Sequence, residues 1–278
     1  MPNLCTAQIP LKDIKRIQIY INKTPRKSLA AIKKATGADY ILNGTLYNMS
    51  TGEVVCHLKA DGKVICGPEY QVEGFAWDNP SNFKMELLPN VPKFGDITKD
   101  NYIACSNLIV HGKPNPRPCN DPARNGKRGR SAIGIKDDCL CLYCSKDGTT
   151  EARTPERLRD DLLDAGWDDA IMLDGGGSSQ CDFLGSKVTS TRKVQHLILV
   201  YLKNPACPYT EPKTLIKSGS KGEGAKWVQW FLNKHGADLV VDGIFGAKSL
   251  AALKAFQKSK KLAVDGLCGP ATRAALKS

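Results

Sequence analysis

One stretch of this chain is written twice, and that repeat limits the possible folds more than any other feature. Val241-Asp242-Gly243-Ile244-Phe245-Gly246 runs into Ser249-Leu250-Ala251-Ala252-Leu253, and Val264-Asp265-Gly266-Leu267-Cys268-Gly269 runs into Thr272-Arg273-Ala274-Ala275-Leu276. Each copy reads as a D-G-x-x-G turn opening a short helix. The turn glycine supplies a positive φ, and a Ser or Thr just inside the helix start can serve its unpaired N–H groups. Ahead of both copies, Val228, Phe231 and Leu232 fall at helical spacing between Ala225 and Asn233. The pattern predicts a compact three-helix unit over residues 214–278.

Upstream, residues 204–213 hold three prolines and follow a strong strand pattern, Leu197 to Leu202. Proline blocks both helix and sheet continuation. Three parts are expected: a large domain at 1–203, a Pro-rich linker at 204–213 and the small helical domain at 214–278. A length of 278 residues suits two domains better than one core. With 41% hydrophobic and 24% charged residues the chain can bury a core, which excludes wholesale disorder. No apolar run approaches the roughly 18 residues a membrane span needs. Met1-Pro2-Asn3-Leu4-Cys5 lacks the basic and apolar regions of a secretory signal. A monomer made in a cytosol and released by lysis or a separate channel is expected.

Charge is concentrated at the C-terminal end. From Thr214 onward ten Lys and one Arg face four acids, a net of +7 within a chain total of +12. Such a module can seek nucleic acid, anionic lipid or an anionic polymer, and charge alone does not choose among them. Eleven cysteines without compact spacing do not form a secreted disulfide framework. Cys119, Cys139, Cys141 and Cys144 could supply four thiolates to zinc. A half-buried strand holding Cys139 and Cys141 on one face explains the same pattern.

The string from Gly219 to Leu232, the two D-G-x-x-G turns and the Ala255-Phe256-Gln257 between them resemble the peptidoglycan-binding domain type 1 of bacterial and phage wall hydrolases. The resemblance implies targeting to a bacterial cell wall, to peptidoglycan or an anionic wall glycan rather than nucleic acid. Trp227 and Trp230 are candidate wall-binding residues: they could form an apolar platform for sugar or peptide, or be core.

The large domain reads as mixed α and β. Leu11 to Ile21 alternates as a strand, and Thr24-Pro25 has the pattern of an N-cap and N1 proline opening a helix that runs to Gly37. Tyr40-Ile41-Leu42 is then a short strand delivering Asn43-Gly44. The grammar repeats: Thr154-Pro155 opens a helix ending near Gly166, and Ala170-Ile171-Met172-Leu173 delivers Asp174-Gly175-Gly176-Gly177-Ser178-Ser179. Three consecutive glycines cost backbone entropy and are tolerated where the chain approaches a ligand closely. The loop suits an oxyanion, yet it matches neither nucleotide-binding glycine pattern. The fold class expected is an α+β mixed-sheet catalytic domain followed by a small three-helix wall-binding domain.

The motifs at 43–47 (N-G-T-L-Y), 129–135 (G-R-S-A-I-G-I), 170–179 (A-I-M-L-D-G-G-G-S-S) and 190–200 (S-T-R-K-V-Q-H-L-I-L-V) resemble, in order, those of the phosphodiester glycosidase family, which includes the lysosomal uncovering enzyme. That family usually shows N-G-G-F-F at the first motif and a proline where this chain has Lys193. The resemblance implies hydrolysis of an acetal between a sugar anomeric carbon and a phosphate oxygen. Glycoside cleavage ordinarily uses two carboxylates, but a phosphate monoester, with its second pKa near ~6, leaves without much help from an acid.

On this reading Asp174 activates water or stabilises the cation. Arg130 and Arg192 fork the phosphate, and the N–H groups of Gly175, Gly176 and Gly177 complete the anion site. Ser178, Ser179, Asn43 and Thr45 are candidates for hydrogen bonds to substrate, and Tyr47 for packing a sugar ring. His196 is a candidate proton carrier or a satisfied structural histidine. The rest of the Arg124–Arg130 loop reads as a solvated flank, and Asp137-Asp138 as a solvated hairpin turn. No histidine-metal signature is present. No cofactor is required, and Ca2+ or Mg2+ near Asp174 stays open. An endolysin-like, wall-tethered glycosidase is the leading expectation. A muralytic enzyme cutting the glycan backbone and a non-catalytic wall-binding protein are the alternatives.

Overall fold

The computed structural model describes residues 2–67, 71–88, 97–203 and 207–277. It divides into two units, Met1–Asn204 and Pro205–Ser278. The first is α+β, built on three sheets in which every paired strand is antiparallel. A six-stranded sheet runs, in spatial order, Leu4–Pro10, Cys139–Ser145, Ser131–Lys136, Asp169–Met172, Ser106–Val110 and Lys113–Pro114. A five-stranded sheet runs Ser186–Val188, Cys181–Phe183, Tyr40–Asn43, His196–Leu202 and Ile14–Ile21. The third sheet runs Lys63–Cys66, Leu58–Ala60, Asn101–Ile103, Val72–Trp77 and Lys84–Leu88.

The sheets share one apolar core, and strand periodicity shows why. In His196–Leu202, Ile198 and Val200 enter the central core, which also holds Ile133, Ile171, Leu58 and Phe75 from the other two sheets. Leu197 and Leu199 point the opposite way and pack with Ile32 of the helix Leu29–Thr36. Both faces of this strand are buried, so its sequence reads as a continuous apolar run rather than an alternation. The six-stranded sheet is covered likewise on its outer face, where Ala132, Cys141, Tyr143 and Ala170 meet Leu158 and Leu162 of the helix Pro155–Asp164. That alternation places Cys144 in the central core and Cys141 on the outer face with Cys119. A four-thiolate zinc site from Cys119, Cys139, Cys141 and Cys144 is therefore geometrically excluded.

Several local expectations are corrected. The helix expected from Thr24-Pro25 starts four residues later, capped by the Ser28 hydroxyl on the Ala31 N–H. Thr24–Pro25 is a cis peptide bond in a bend. The helix does end at Gly37, whose φ of 65° closes it in the left-handed conformation. The strand expected from Leu11 begins at Ile14 after a short 3-10 turn, Leu11–Asp13. Asp137 and Asp138, both at positive φ, form the two-residue turn of the hairpin joining Ser131–Lys136 to Cys139–Ser145.

The second unit consists of helices Glu223–Lys234, Ala247–Ser259 and Pro270–Leu276 around Trp227, Val228, Leu232, Phe245, Leu253 and Phe256. The Ser and Thr expected to cap the last two helices do not do so; Gly246 and Gly269 hold the cap positions without side-chain bonds. Ser249 and Thr272 face inward instead. Gln229 Nε2 donates to Asp242 Oδ1 (2.9 Å), Ile244 O (3.1 Å) and Ser249 Oγ (3.1 Å), and its Oε1 accepts from the Gly243 N–H (2.9 Å). Gln257 does the same to Asp265 (2.9 Å), Leu267 (3.0 Å), Thr272 (3.4 Å) and Gly266 (3.0 Å). The sequence repeat is thus a repeat of one buried polar lock.

Trp227 and Trp230 are not an open platform: both are buried, and Lys234 Nζ caps the Trp230 ring at 5.2 Å. Part of the Pro-rich segment packs too, with Tyr209 against the helical core and Glu211 paired to Lys277 at 3.1 Å. Asn204, Pro205 and Ala206 of the expected linker lie outside the described residues.

Candidate active site

The two Asn/Asp-Gly turns sit at adjacent strand ends and clasp each other. Asn43 Nδ2 donates to Asp174 O (2.8 Å), and the Asp174 N–H donates to Gly44 O (3.1 Å). Asn43 Oδ1 accepts from Ser131 Oγ (2.6 Å) and the Gln180 N–H (3.2 Å). All its polar valences are spent inside the protein, so Asn43 ties two sheets together and has nothing left for a sugar hydroxyl. Its neighbour Gly44 is a close-approach position, since a Cβ there would lie 2.2 Å from the His196 ring.

His196 is a second tie. Its Nε2 accepts from the Thr45 N–H at 2.8 Å, and burial pushes its pKa down to about 3. A ring held neutral with its acceptor nitrogen occupied is a poor proton carrier at neutral pH, so the structure favours the structural alternative. Thr45 donates its hydroxyl to Ala104 O (3.0 Å) and is buried, which removes it from the substrate-facing set. Tyr47 is buried beneath Arg26, whose guanidinium lies 5.7 Å from its ring centre. It offers no open face to a sugar.

What remains open converges on the glycine loop. A cavity is lined by Asp174, Gly175, Gly176, Gly177, Arg124, Arg128, Arg130 and Arg192, together with Leu46, Cys105 and Ser106. Gly176 has φ 59° and donates its N–H to Gly129 O at 2.8 Å; a Cβ on Gly175 would stand 2.9 Å from that same oxygen. The G-R-S-A-I-G-I motif is thus the strut under the loop. The Gly175 N–H turns back to Asp174 Oδ1 (2.9 Å). Of the three glycine N–H groups expected to cradle an anion, only that of Gly177 has no protein acceptor among the described residues.

Burial raises the Asp174 carboxyl above the usual carboxylate range, while the Ser178 hydroxyl, the Gly175 N–H, Arg192 and Arg124 pull it back. Ser178 Oγ accepts from Arg192 Nη1 at 2.9 Å. Arg192 is held by Gln180 Nε2 on its carbonyl (2.9 Å) and by its own N–H to Ser190 Oγ (3.0 Å). Ser179 Oγ is buried with no hydrogen-bond partner among the described residues.

The two expected phosphate forks part ways. Arg192 presents its remaining donors to the cavity. Arg130 is 2% exposed, with Nε on Arg153 O (2.8 Å), Nη2 on Arg124 O (2.8 Å) and Gly126 O (2.6 Å), and Nη1 on Met172 Sδ (3.5 Å). It lies beside the floor, yet its donors hold protein rather than ligand. What it holds is the loop carrying Arg124 and Arg128, which sequence reasoning set aside as a solvated flank. Nothing local marked those two, because their direction depends on a guanidinium buried between distant carbonyls. Asp174 faces arginines, a donor set that does not fit a divalent cation. Among the described residues no group of three or more His, Cys, Asp or Glu side chains gathers as a metal site.

Residues 18–201 match the family described as phosphodiester glycosidase, and residues 221–276 match the putative peptidoglycan-binding domain. The catalytic domain of zebrafish N-acetylglucosamine-1-phosphodiester alpha-N-acetylglucosaminidase, auto-inhibited by its pro-peptide, superposes with a TM-score of 0.56 at 15% identity, over 72% of this chain and 84% of that one. A hypothetical protein from Synechocystis gives 0.56 at 13% identity, over 72% of this chain and 59% of that one. At these identities the likeness is one of fold. In sequence, 67 residues are 42% identical to the zinc D-Ala-D-Ala carboxypeptidase of Streptomyces albus G, covering 23% of this chain and 26% of that protein's length.

Proposed function

This chain belongs to the phosphodiester glycosidase family, and on that premise we propose that it hydrolyses a sugar–phosphate acetal in a bacterial cell-wall polymer, held to the wall by its C-terminal module. The observation that carries the reading is one partly desolvated carboxylate, Asp174, sharing a cavity with Arg192, inside a rim of Arg124 and Arg128. Such a site is built for an anion bonded to a centre that becomes cationic.

The chemistry follows from the charges. The phosphate of the substrate sits on Arg192 and the Gly177 N–H, with Arg124 and Arg128 at the outer side. Guanidinium groups match phosphate oxygens in paired hydrogen bonds and stabilise the charge that develops as the C–O bond opens. Asp174, on the anomeric side, stabilises the oxocarbenium-like centre or activates the water that attacks it. A phosphate monoester leaves as a stable anion, so arginines take the part that a carboxylic acid plays for an alcohol leaving group. A divalent ion has no role in this scheme.

The second domain raises the local concentration of the enzyme on its polymer without adding a contact at the site. An endolysin-like role fits this pairing of catalytic and wall-binding parts. Incubating the full chain with purified walls tests the proposal. Release of phosphate-linked sugar fragments is expected; release of reducing muropeptide ends alone would replace it with cleavage of the glycan backbone.

A further inference from the structure

The eleven free thiols are not equivalent. Cys5, Cys144 and Cys181 are buried together in the central core, 5% exposed or less, where no water-borne reagent reaches them. Cys56 and Cys105 are only partly buried, their sulfurs lie 3.7 Å apart, and Cys105 lines the cavity above Asp174.

The two cysteines sit just past the end of one strand ladder. Leu58 lies opposite Ile103 in antiparallel pairing, and the Ala104 N–H reaches His57 O at 3.0 Å. Cys56 and Cys105 are the next residue on each side, beyond the strands Leu58–Ala60 and Asn101–Ile103. Their sulfurs, 3.7 Å apart, have only about 1.7 Å to close to reach the S–S bond length of about 2.0 Å.

We propose that Cys56 and Cys105 form a redox modification site: a small-molecule disulfide oxidises them to a disulfide that ties the Tyr47–Val54 hairpin to the start of the strand Ser106–Val110 at the edge of the cavity. The Cys56 side carries the Tyr47–Val54 hairpin, anchored by the Val55 N–H on Leu46 O (3.0 Å). The Cys105 side leads directly into the strand Ser106–Val110, which pairs with Asp169–Met172 just before Asp174. Both Leu46 and Ser106 line the cavity.

The exchange balances with oxidised glutathione as the oxidant. The Cys56 thiolate attacks one glutathione sulfur, breaking that S–S bond and releasing one glutathione thiolate. The Cys105 thiolate then attacks Cys56 sulfur in the mixed disulfide and releases the second. Two protein thiols lose two electrons, oxidised glutathione gains them, and the two protons end on two glutathione thiols. Cys56 is the better first nucleophile: hydrogen bonding with the Cys105 thiol draws its pKa down, assisted by Thr45, the Leu46 backbone and Arg124.

The proposal goes beyond the glycosidase reading, and its test needs no wall substrate. The full chain is equilibrated in graded ratios of oxidised to reduced glutathione, alkylated and mapped by peptide mass spectrometry. A Cys56–Cys105 cross-linked peptide is expected at a more reducing ratio than any other thiol oxidation, and its formation should raise Tm by at least about 5 °C. Cys56→Ser and Cys105→Ser should each abolish both changes. A Cys56–Cys66 link, a persistent glutathione adduct on Cys56, or core thiols reacting first would overturn the proposal. The map of the unsubstituted chain decides this even if a serine variant folds poorly.

Discussion

The polar cluster in the wall-binding module and the one around Asp174 use similar parts to opposite ends. Gln229 with Asp242 and Ser249, and Gln257 with Asp265 and Thr272, close on themselves: each glutamine fills its donors and acceptor within its own turn. Around Asp174 the valences stay open. Arg192 has donors to spare, Ser179 Oγ is buried alone, and the Gly177 N–H has no protein acceptor among the described residues. A buried polar group normally finds its partner, so a closed cluster records folding and an open one marks where a ligand supplies the missing bonds. Asn43, Thr45 and Arg130 sit beside the open cluster but belong to the closed kind.

That contrast breaks first at Asp174. Asp174→Asn should lower hydrolysis by roughly 10²–10⁴-fold while thermal unfolding and wall sedimentation stay unchanged; full activity in the variant would take Asp174 out of the mechanism. Next comes Arg192→Ala, expected to cost roughly 10²-fold in turnover of a soluble sugar phosphodiester. It should also move the acid limb of the pH–rate profile upward, because Asp174 loses a charge that holds its pKa down. A limb that stays in place would mean that the Arg192 charge does not act on Asp174.

Closed clusters should answer in stability rather than rate. Gln229→Ala or Gln257→Ala leaves a glycine N–H without its acceptor and takes one of two bonds from the Asp carboxylate, which keeps only the backbone N–H of Ile244 or Leu267; it should destabilise the module by about 1–3 kcal/mol, read by calorimetry, with turnover of the soluble substrate unaffected. At His196 the effect is read through pH rather than at neutrality. Its folded pKa, about 3, lies below the unfolded value of about 6.5, so the unfolded chain binds more protons in between. Stability is then complete above the unfolded pKa and declines as pH falls toward the folded one. His57, pushed down to about 4 by burial, adds to the same slope. His196→Gln should flatten the slope, measured by denaturant titration at several pH values.

Much of the frame was legible from local pattern. The duplicated turns, the strand His196–Leu202 and the Thr154-capped helix all follow from spacing within a dozen residues. The third sheet was missed although it carried a signal: Asp61-Gly62, both at positive φ, joins Leu58–Ala60 to Lys63–Cys66 as a two-residue hairpin, and an Asp-Gly pair is a strong hairpin marker. Roles within the site were less legible. Arg130 and Arg192 look alike in sequence, and only the positions of Arg153 O and Gly126 O reveal that one guanidinium is already occupied. The tryptophans were ambiguous for a similar reason, since a helix buried over most of its circumference leaves no solvent face to read from spacing.

If this cavity holds a phosphate and an anomeric carbon at once, a crystal of the full chain soaked with a sugar 1-phosphate will show both. The phosphate is expected on Arg192 and the Gly177 N–H with C1 of the sugar facing Asp174. A phosphate bound away from Arg192, or a sugar turned so that C1 points away from Asp174, would contradict it.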